Sequence, residues 1–180
     1  MAPDLSAVAA RIRPARRDEL AALIDIERDA GRAFAAVGMP EIAADDPGSV
    51  EALEAYREAG RVWVAAGVSD RPAAYLLAAV VDGALHVEQV SVAPAHARRG
   101  IGAALVDHLA AVAAAEGRPA LTLTTFRDVP WNAPYYRRLG FAVVERGDQG
   151  PELRALVARE AATIPGDAPR VAMRRAVPRR

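Results

Sequence analysis

Between Val90 and Ala103 the chain passes from a strand-like run through Pro94 into Arg98-Arg99-Gly100-Ile101-Gly102-Ala103, and from there into a long Ala-rich helical pattern. A turn of this kind leaves backbone N–H groups unpaired at the positive end of a helix, and glycine lets an anion come close to that backbone. The sequence thus commits to a strand, a tight turn and a helix in immediate succession, with a place for a pyrophosphate where they meet. Helical phase puts Ile101, Leu105, Leu109 and Val112 on one face, and Gly117 stops the helix. The stretch lacks the Gly-Lys-Ser/Thr of a Walker loop and follows a meander instead of a first Rossmann strand, which disfavours nucleotide folds of either type.

The flanking segments define what the turn is embedded in. Arg61 to Val68 and Ala73 to Val81 read as strands, and Asp82-Gly83 is a hairpin signal before a further strand from Ala84 to Val92. Upstream, Asp18 is placed to cap a helix carrying Leu20, Leu23, Ile24 and Phe34, and Ser49 or Asp46 opens a second helix with Val50, Leu53 and Tyr56, closed by Gly60. Downstream come a strand from Ala120 to Thr125, a short helix through Tyr136 and a strand from Phe141. From Arg146 the pattern changes to a surface helix over Glu152 to Ala162, Pro165-Gly166, a last strand around Arg170 to Met173, and a solvated tail with Arg174, Arg175, Arg179 and Arg180. Helices, a meander and a strand-helix-strand crossover in that order predict an α+β fold with a mixed sheet, in one domain spanning residues 1–180.

Composition removes several function classes. Lys plus Arg and Asp plus Glu both number 23, so no global positive field is available for nucleic acid or an anionic membrane. The absence of cysteine excludes disulfides, thiolate metal sites and cysteine nucleophiles, and three scattered histidines argue against a metal centre. The residues from Leu5 to Arg17 read as a leader and first strand. With no apolar run of about 20 residues for a membrane span, a cytoplasmic protein is expected.

Arg99-Gly100-Ile101-Gly102, following the strand Val90-Ser91-Val92, resembles the signature Gln/Arg-x-x-Gly-x-Gly/Ala of the GNAT acetyltransferase superfamily, with Ala97 at the first signature position. A second block, Trp131-Asn132-Ala133-Pro134-Tyr135-Tyr136-Arg137-Arg138-Leu139-Gly140-Phe141, is similar to the later motif of that family, in which a tyrosine precedes Gly-Phe by four residues. The resemblance covers about residues 60–145 and leaves 146–180 as an extension. It implies a mostly antiparallel central sheet splayed between strands 4 and 5, with acetyl-CoA as co-substrate and no metal. It also implies phosphate binding by the amides of Arg98, Arg99, Gly100, Ile101, Gly102 and Ala103, and pairing of the backbone at Val90, Ser91 and Val92 with the pantetheine arm. Asn132 is a further candidate for cofactor contact, or a cap for the short helix.

The implied reaction is attack of a neutral amine on a thioester, passing through an oxyanion and releasing a thiolate. A fixed N–H near Val92 stabilises the oxyanion, and Tyr136 protonates the leaving sulfur. His86 and Glu88 are polar residues on one face of an otherwise apolar strand. The family commonly places its general base at one of these positions, and Glu88 is preferred because its carboxylate also attracts a cation. Ribosomal-protein N-terminal acetyltransferases in this superfamily carry a glutamate and an asparagine where this chain has Thr124 and Val129, so that mechanism does not transfer. The acceptor is an amine of a small molecule or peptide. Acidic residues in the first helices and their loop, Glu27, Glu41, Asp45, Asp46, Glu51 and Glu54, hint at a cation but read first as a solvated face. Trp63 and Trp131 read as core before they read as pocket lining. A homodimer is expected for the assembly. Two other classes compete: a non-catalytic acyl-CoA-binding module, and a partner-binding domain without cofactor.

Overall fold

The computed structural model describes residues 11–67 and 69–178. Its strands are β1 (Ile12–Pro14), β2 (Val62–Ala66), β3 (Pro72–Val81), β4 (Ala84–Val92), β5 (Ala120–Phe126), β6 (Ala142–Val143) and β7 (Arg170–Ala176). Its helices are α1 (Leu20–Gly31), α2 (Pro40–Ala43), α3 (Val50–Glu58), α4 (Ile101–Ala115), α5 (Ala133–Arg138) and α6 (Pro151–Thr163). The strands form one sheet in the order β1-β2-β3-β4-β5-β7-β6. β4 and β5 run parallel, and their register covers Leu85–Val87 against Leu121–Leu123. Helix α4 makes the crossover that a parallel pair requires. The mixed, mostly antiparallel sheet expected from the sequence is therefore present. By compactness the chain falls into two units, one formed by Met1–Ala78 with Gln89–His108 and one by Ala79–Glu88 with Leu109–Arg180.

In the first unit β2 is flanked by antiparallel β1 and β3, with Trp63 opposite Pro14 on one side and Leu76 on the other. All five β2 residues are buried, which accounts for an apolar run without alternation. Leu20, Leu23 and Ile26 of α1 and Leu53 of α3 pack with Val62, Val64 and Tyr75 into one apolar cluster. Ser49 caps α3, its hydroxyl accepting the Ala52 N–H at 3.2 Å. Asp18 does not cap α1: it lies inside a short 3-10 turn, Arg17–Glu19, and the Glu19 carboxylate accepts the Arg16 N–H at 2.8 Å. Glu19 is nearly buried because Arg13 of β1 grips it through two nitrogens, at 2.9 and 2.5 Å, while donating also to Asp70. The first strand expected between Leu5 and Arg17 is β1, the arginines Arg13 and Arg16 beside it are structural, and the Leu5–Ala10 part of that reading lies outside the described residues.

In the second unit β3 turns into β4 through Asp82 and Gly83, whose φ values of +47° and +76° define the two-residue hairpin turn that matches strand twist. Met173 of β7 is opposite Leu123 of β5 and Val143 of β6, so the last strand of the chain inserts between two earlier ones. This corrects the tail reading: Arg174 and Arg175 are β7 residues, opposite Thr122 and Leu121. Arg179 and Arg180 lie outside the described residues. α6 is not a plain surface helix either, since Leu153 and Leu156 are buried against Val81 and Ala172. α4 ends in a Schellman motif, with Arg118 N–H to the Ala113 carbonyl at 2.8 Å, Gly117 N–H to that of Ala114 at 3.1 Å, and Gly117 at φ +68°. Val112 of this helix is only half-buried, whereas Val106 and Ala113 are fully buried.

Asp82 holds the start of α6 from 70 residues away. Its two carboxylate oxygens accept the N–H groups of Glu152 (3.0 Å) and Leu153 (2.9 Å), and the Glu152 carboxylate accepts the Asp82 N–H. The helix N-cap position is Gly150, where a Cβ would run into the Asp82 carboxylate. A side chain from the hairpin therefore takes the capping role that the local sequence leaves open. Asp82→Gly keeps the left-handed backbone and removes the carboxylate. Urea unfolding should show a loss of about 1–2 kcal/mol, the usual worth of a helix cap.

Candidate active site

Within the first unit, β4 leads through the 3-10 turn Pro94–His96 to Ala97, Arg98 at φ +59° and Gly100 at φ +77°. The first i to i−4 bond of α4 runs from the Ala104 N–H to the Gly100 carbonyl at 3.0 Å. The amides of Ile101, Gly102 and Ala103 come before it and have no acceptor inside the helix. Gly100 occupies the N-cap position with no side chain to offer, and a Cβ built on it would meet nothing within 4 Å. The open space and the positive helix end suit an incoming anion. Arg98 and Arg99 are exposed beside it. A non-glycine residue at positive φ costs of order 1 kcal/mol, so Arg98 marks a place where backbone shape is imposed by the turn. Leading into the turn, Ser91 is buried and accepts from Gln89 Nε2 at 2.8 Å, and Val90 and Val92 are half-buried.

The same unit holds a group that the sequence reading placed on a solvated face. Tyr75 is 0 % exposed and its hydroxyl donates to Glu27 of α1. Burial drives the Tyr75 phenol far up, with the Glu27 charge adding to it, and Ser91 works weakly in the other direction. Glu27 is itself raised, first by burial and then by Asp45, against the lowering effect of the Tyr75 bond. The signal was available, since Glu27 stands four and seven residues after Leu23 and Leu20 and so shares their buried face. Trp63 is core, packed edge-on against His108 at 5.9 Å, while Trp131 is exposed.

In the second unit, α5 also ends in a Schellman motif: Phe141 N–H bonds the Tyr136 carbonyl at 3.1 Å, Gly140 N–H that of Arg137 at 3.1 Å, and Gly140 has φ +85°. Tyr136 is the third residue from the helix end, and its ring meets Phe141 edge-on at 5.6 Å, the apolar contact that closes this motif. The spacing from Tyr136 to Gly140-Phe141 is thus a helix-stop geometry that orients the tyrosine. Burial first and Tyr135 second push the Tyr136 phenol well above its ordinary value, so it stays protonated. Asn132 occupies the N-cap position of α5 but makes no side-chain cap bond; its carbonyl accepts the Tyr136 N–H at 3.0 Å.

His86 and Glu88 project from the same face of β4, as alternation requires. His86 is 1 % exposed, its Nδ1 lies 2.9 Å from Thr122 Oγ1, and burial followed by the nearby Arg159 lowers it to about 4. It is therefore neutral at ordinary pH. Glu88 is half-buried and pushed up from the usual carboxylate range, by burial first and then by Glu160, with Arg159 opposing. Among the described residues no group of three or more His, Asp or Glu side chains is placed to hold a metal ion, and no helix is long and apolar enough to cross a membrane.

Several solved structures share this fold. A GNAT-family acetyltransferase from Staphylococcus aureus Mu50 superposes with a TM-score of 0.70 at 16% identity, covering 93% of this chain and 99% of that one. Rv2747 from Mycobacterium tuberculosis, solved in complex with CoA, gives 0.70 at 18% identity, again over 93% of this chain and 99% of the other. The ribosomal-protein-S18-alanine N-acetyltransferase of Escherichia coli gives 0.65 at 20% identity over 93% of each. These likenesses establish the fold. The family model for GNAT acetyltransferases matches residues 20–141, a span that holds the glycine turn of α4 and the Tyr136 helix stop, and the chain belongs to the acetyltransferase (GNAT) family.

Proposed function

We propose that this chain transfers the acetyl group of acetyl-CoA to a primary amine by direct attack within a ternary complex. The observation that carries the reading is the start of α4, where the amides of Ile101, Gly102 and Ala103, which have no acceptor inside the helix, and a side-chain-free N-cap follow β4 through the turn at residues 93–100. Those amides, with Arg98 and Arg99, suit a pyrophosphate, and the β4 backbone from Val90 to Val92 would pair with the pantetheine arm.

The protons can be followed. Glu88 takes one from the acceptor ammonium and passes it to solvent, and the free amine attacks the thioester carbonyl. An N–H near Val92 stabilises the oxyanion while the N–C bond forms. The C–S bond then breaks, the sulfur takes the Tyr136 proton, and the second proton lost by nitrogen restores the phenol through solvent. Glu88 suits the base because its affinity for protons is raised while it keeps some exposure. His86 suits a structural role better, being enclosed, neutral and committed to Thr122.

The His86 assignment has a consequence for stability. An unfolded histidine titrates near 6.5 and the folded one at about 4, so the unfolded state binds more protons between these values. Stability is full above pH ~6.5 and falls as pH drops toward ~4, by up to about 3 kcal/mol from this residue. In His86→Gln this part of the pH dependence of urea unfolding should vanish. The Glu88→Gln variant should instead lose the acid limb of kcat/KM, which in the parent lies above the range of a free glutamate because the Glu88 pKa is raised. An acid limb that survives Glu88→Gln and disappears in His86→Gln would reverse the two roles.

Calorimetry with acetyl-CoA and a thiol-release assay across amines test the reaction itself. Gly100→Glu should abolish acetyl-CoA binding, since it puts a carboxylate at the anion site and a side chain at positive φ. Tyr136→Phe should bind acetyl-CoA as before and lose roughly 10²- to 10⁴-fold in kcat where protonation limits turnover. Tight acetyl-CoA binding without transfer to any amine would favour a non-catalytic binding module.

A further inference from the structure

The segment after the family match is not decoration, because it builds a cavity. In the second unit the end of α6, the segment 164–169 and the edges of β5 and β7 enclose about 270 Å³. Phe126, Val157, Ile164 and Val171 give it apolar walls, and Thr124, Glu160 and Arg170 form its polar side. These three are linked: Thr124 Oγ1 donates to Glu160 Oε1 at 2.8 Å, and Arg170 Nη2 approaches both Thr124 Oγ1 and Glu160 Oε2 at 3.3 Å. The guanidinium is fixed by its place over the Phe126 ring, 4.6 Å from the centroid. Arg170 Nε is buried without an acceptor among the described residues.

The cavity opens on the sheet face that carries Glu88. His86 is opposite Thr122 in the parallel pair and touches it, so the even-numbered side chains of β4 and β5 share a face. By alternation Glu88 and Thr124 face the same way, beyond the last paired residues Val87 and Leu123, and Thr124 donates to Glu160. Burial first, and the charge of Glu160 second, push the Glu88 carboxyl up. Glu160 thus stands on the polar side of an apolar cavity, on the sheet face that also carries Glu88. Each Glu160 oxygen has one partner and can accept a second, so the residue can still receive an ammonium. The charged residues lining the cavity are Glu160, Asp167 and Arg170, which leave one negative charge to be balanced by one cation. The volume falls below the usual ~300–1,000 Å³ of drug-sized sites, which sets the scale at a small molecule.

We infer that this cavity is the acceptor site, that Glu160 holds the acceptor ammonium beside Glu88, and that the acceptor is a small primary monoamine with an apolar body. The inference rests on the acetyl-transfer reading above and names its substrate class. It gives residues 146–180 a role as the specificity element. A polycation would leave charges unmatched against Phe126, Val157 and Ile164, and a peptide chain would exceed the volume.

The test uses 2-phenylethylamine, spermidine and an alanine-initiated tripeptide as acceptors, with acetyl-CoA binding measured in parallel by calorimetry. The full chain should acetylate 2-phenylethylamine in preference to the other two. Glu160→Gln should raise the KM for 2-phenylethylamine by roughly 10- to 100-fold, the worth of one charge-assisted hydrogen bond, with a smaller change in kcat. It should also move the acid limb to lower pH, because one cause of the raised Glu88 pKa is removed, Arg159 and His86 being unaltered. Ala161→Trp fills the cavity from an exposed position on α6 and should raise the same KM without changing acetyl-CoA affinity or the unfolding midpoint. Unchanged KM values in both variants of an active enzyme would overturn the site and leave acetyl transfer standing. Preference for spermidine or the tripeptide would overturn the substrate class. Absence of acetyl-CoA binding in the unaltered chain would overturn the acetyl-transfer reading and this inference with it.

Discussion

A helix begins with amide groups that have no acceptor inside it, and the ways in which this chain answers them organise both its fold and its chemistry. At α3 the answer is local, from the Ser49 hydroxyl. At α6 it comes from Asp82 in a hairpin far back in the sequence, and it fixes where the extension is held. At α4 the N-cap is Gly100, which has no side chain to give. One constraint thus yields a local cap, a tertiary tether and an open helix start suited to an anion, according to whether a serine, a distant aspartate or a glycine is set against it.

Burial of polar groups follows a similar economy. Arg13 and Glu19 neutralise one another at the edge of the first unit, Tyr75 is satisfied by Glu27, and His86 is kept neutral against Thr122. Each pairing removes an unmatched polar atom that would otherwise cost of order 1–3 kcal/mol. Glu88 differs: burial and then Glu160 push its carboxyl up, and Arg159 only partly compensates. A carboxylate left with such an imbalance holds protons more readily than an ordinary glutamate, which is the property a base near neutral pH requires.

The helix-stop geometry explains how a short motif can hold one side chain in place. In both α4 and α5 a glycine at positive φ lets two amides reach back to the last turn. In α5 the residue that accepts the bond spanning more residues, from Phe141, is Tyr136, and Phe141 packs on its ring. A tyrosine placed elsewhere on so short a helix would lack that ring contact. The spacing is therefore a statement about rigidity, which is what the proposed role of Tyr136 requires.

What the sequence determined by itself are the features written over a few neighbouring residues. The Asp82-Gly83 hairpin, a helix opening at Ser49 or Asp46, the glycine turn into α4 and the spacing from Tyr136 to Phe141 are written in backbone preferences and local hydrogen bonds, so the letters suffice to point to them. The buried face shared by Leu20, Leu23 and Glu27 belongs with these, although Glu27 also invites reading as a solvated acid. Only the tertiary structure decided the rest. Insertion of β7 between β5 and β6, which turns Arg174 and Arg175 into strand residues, depends on pairing between segments far apart, where local propensity does not distinguish one partner strand from another. The same holds for Asp82 at the start of α6, and for Thr124, Glu160 and Arg170 around one cavity. Each of these residues is unremarkable in its own sequence neighbourhood, and its role exists because the register of a sheet brings distant side chains to one face.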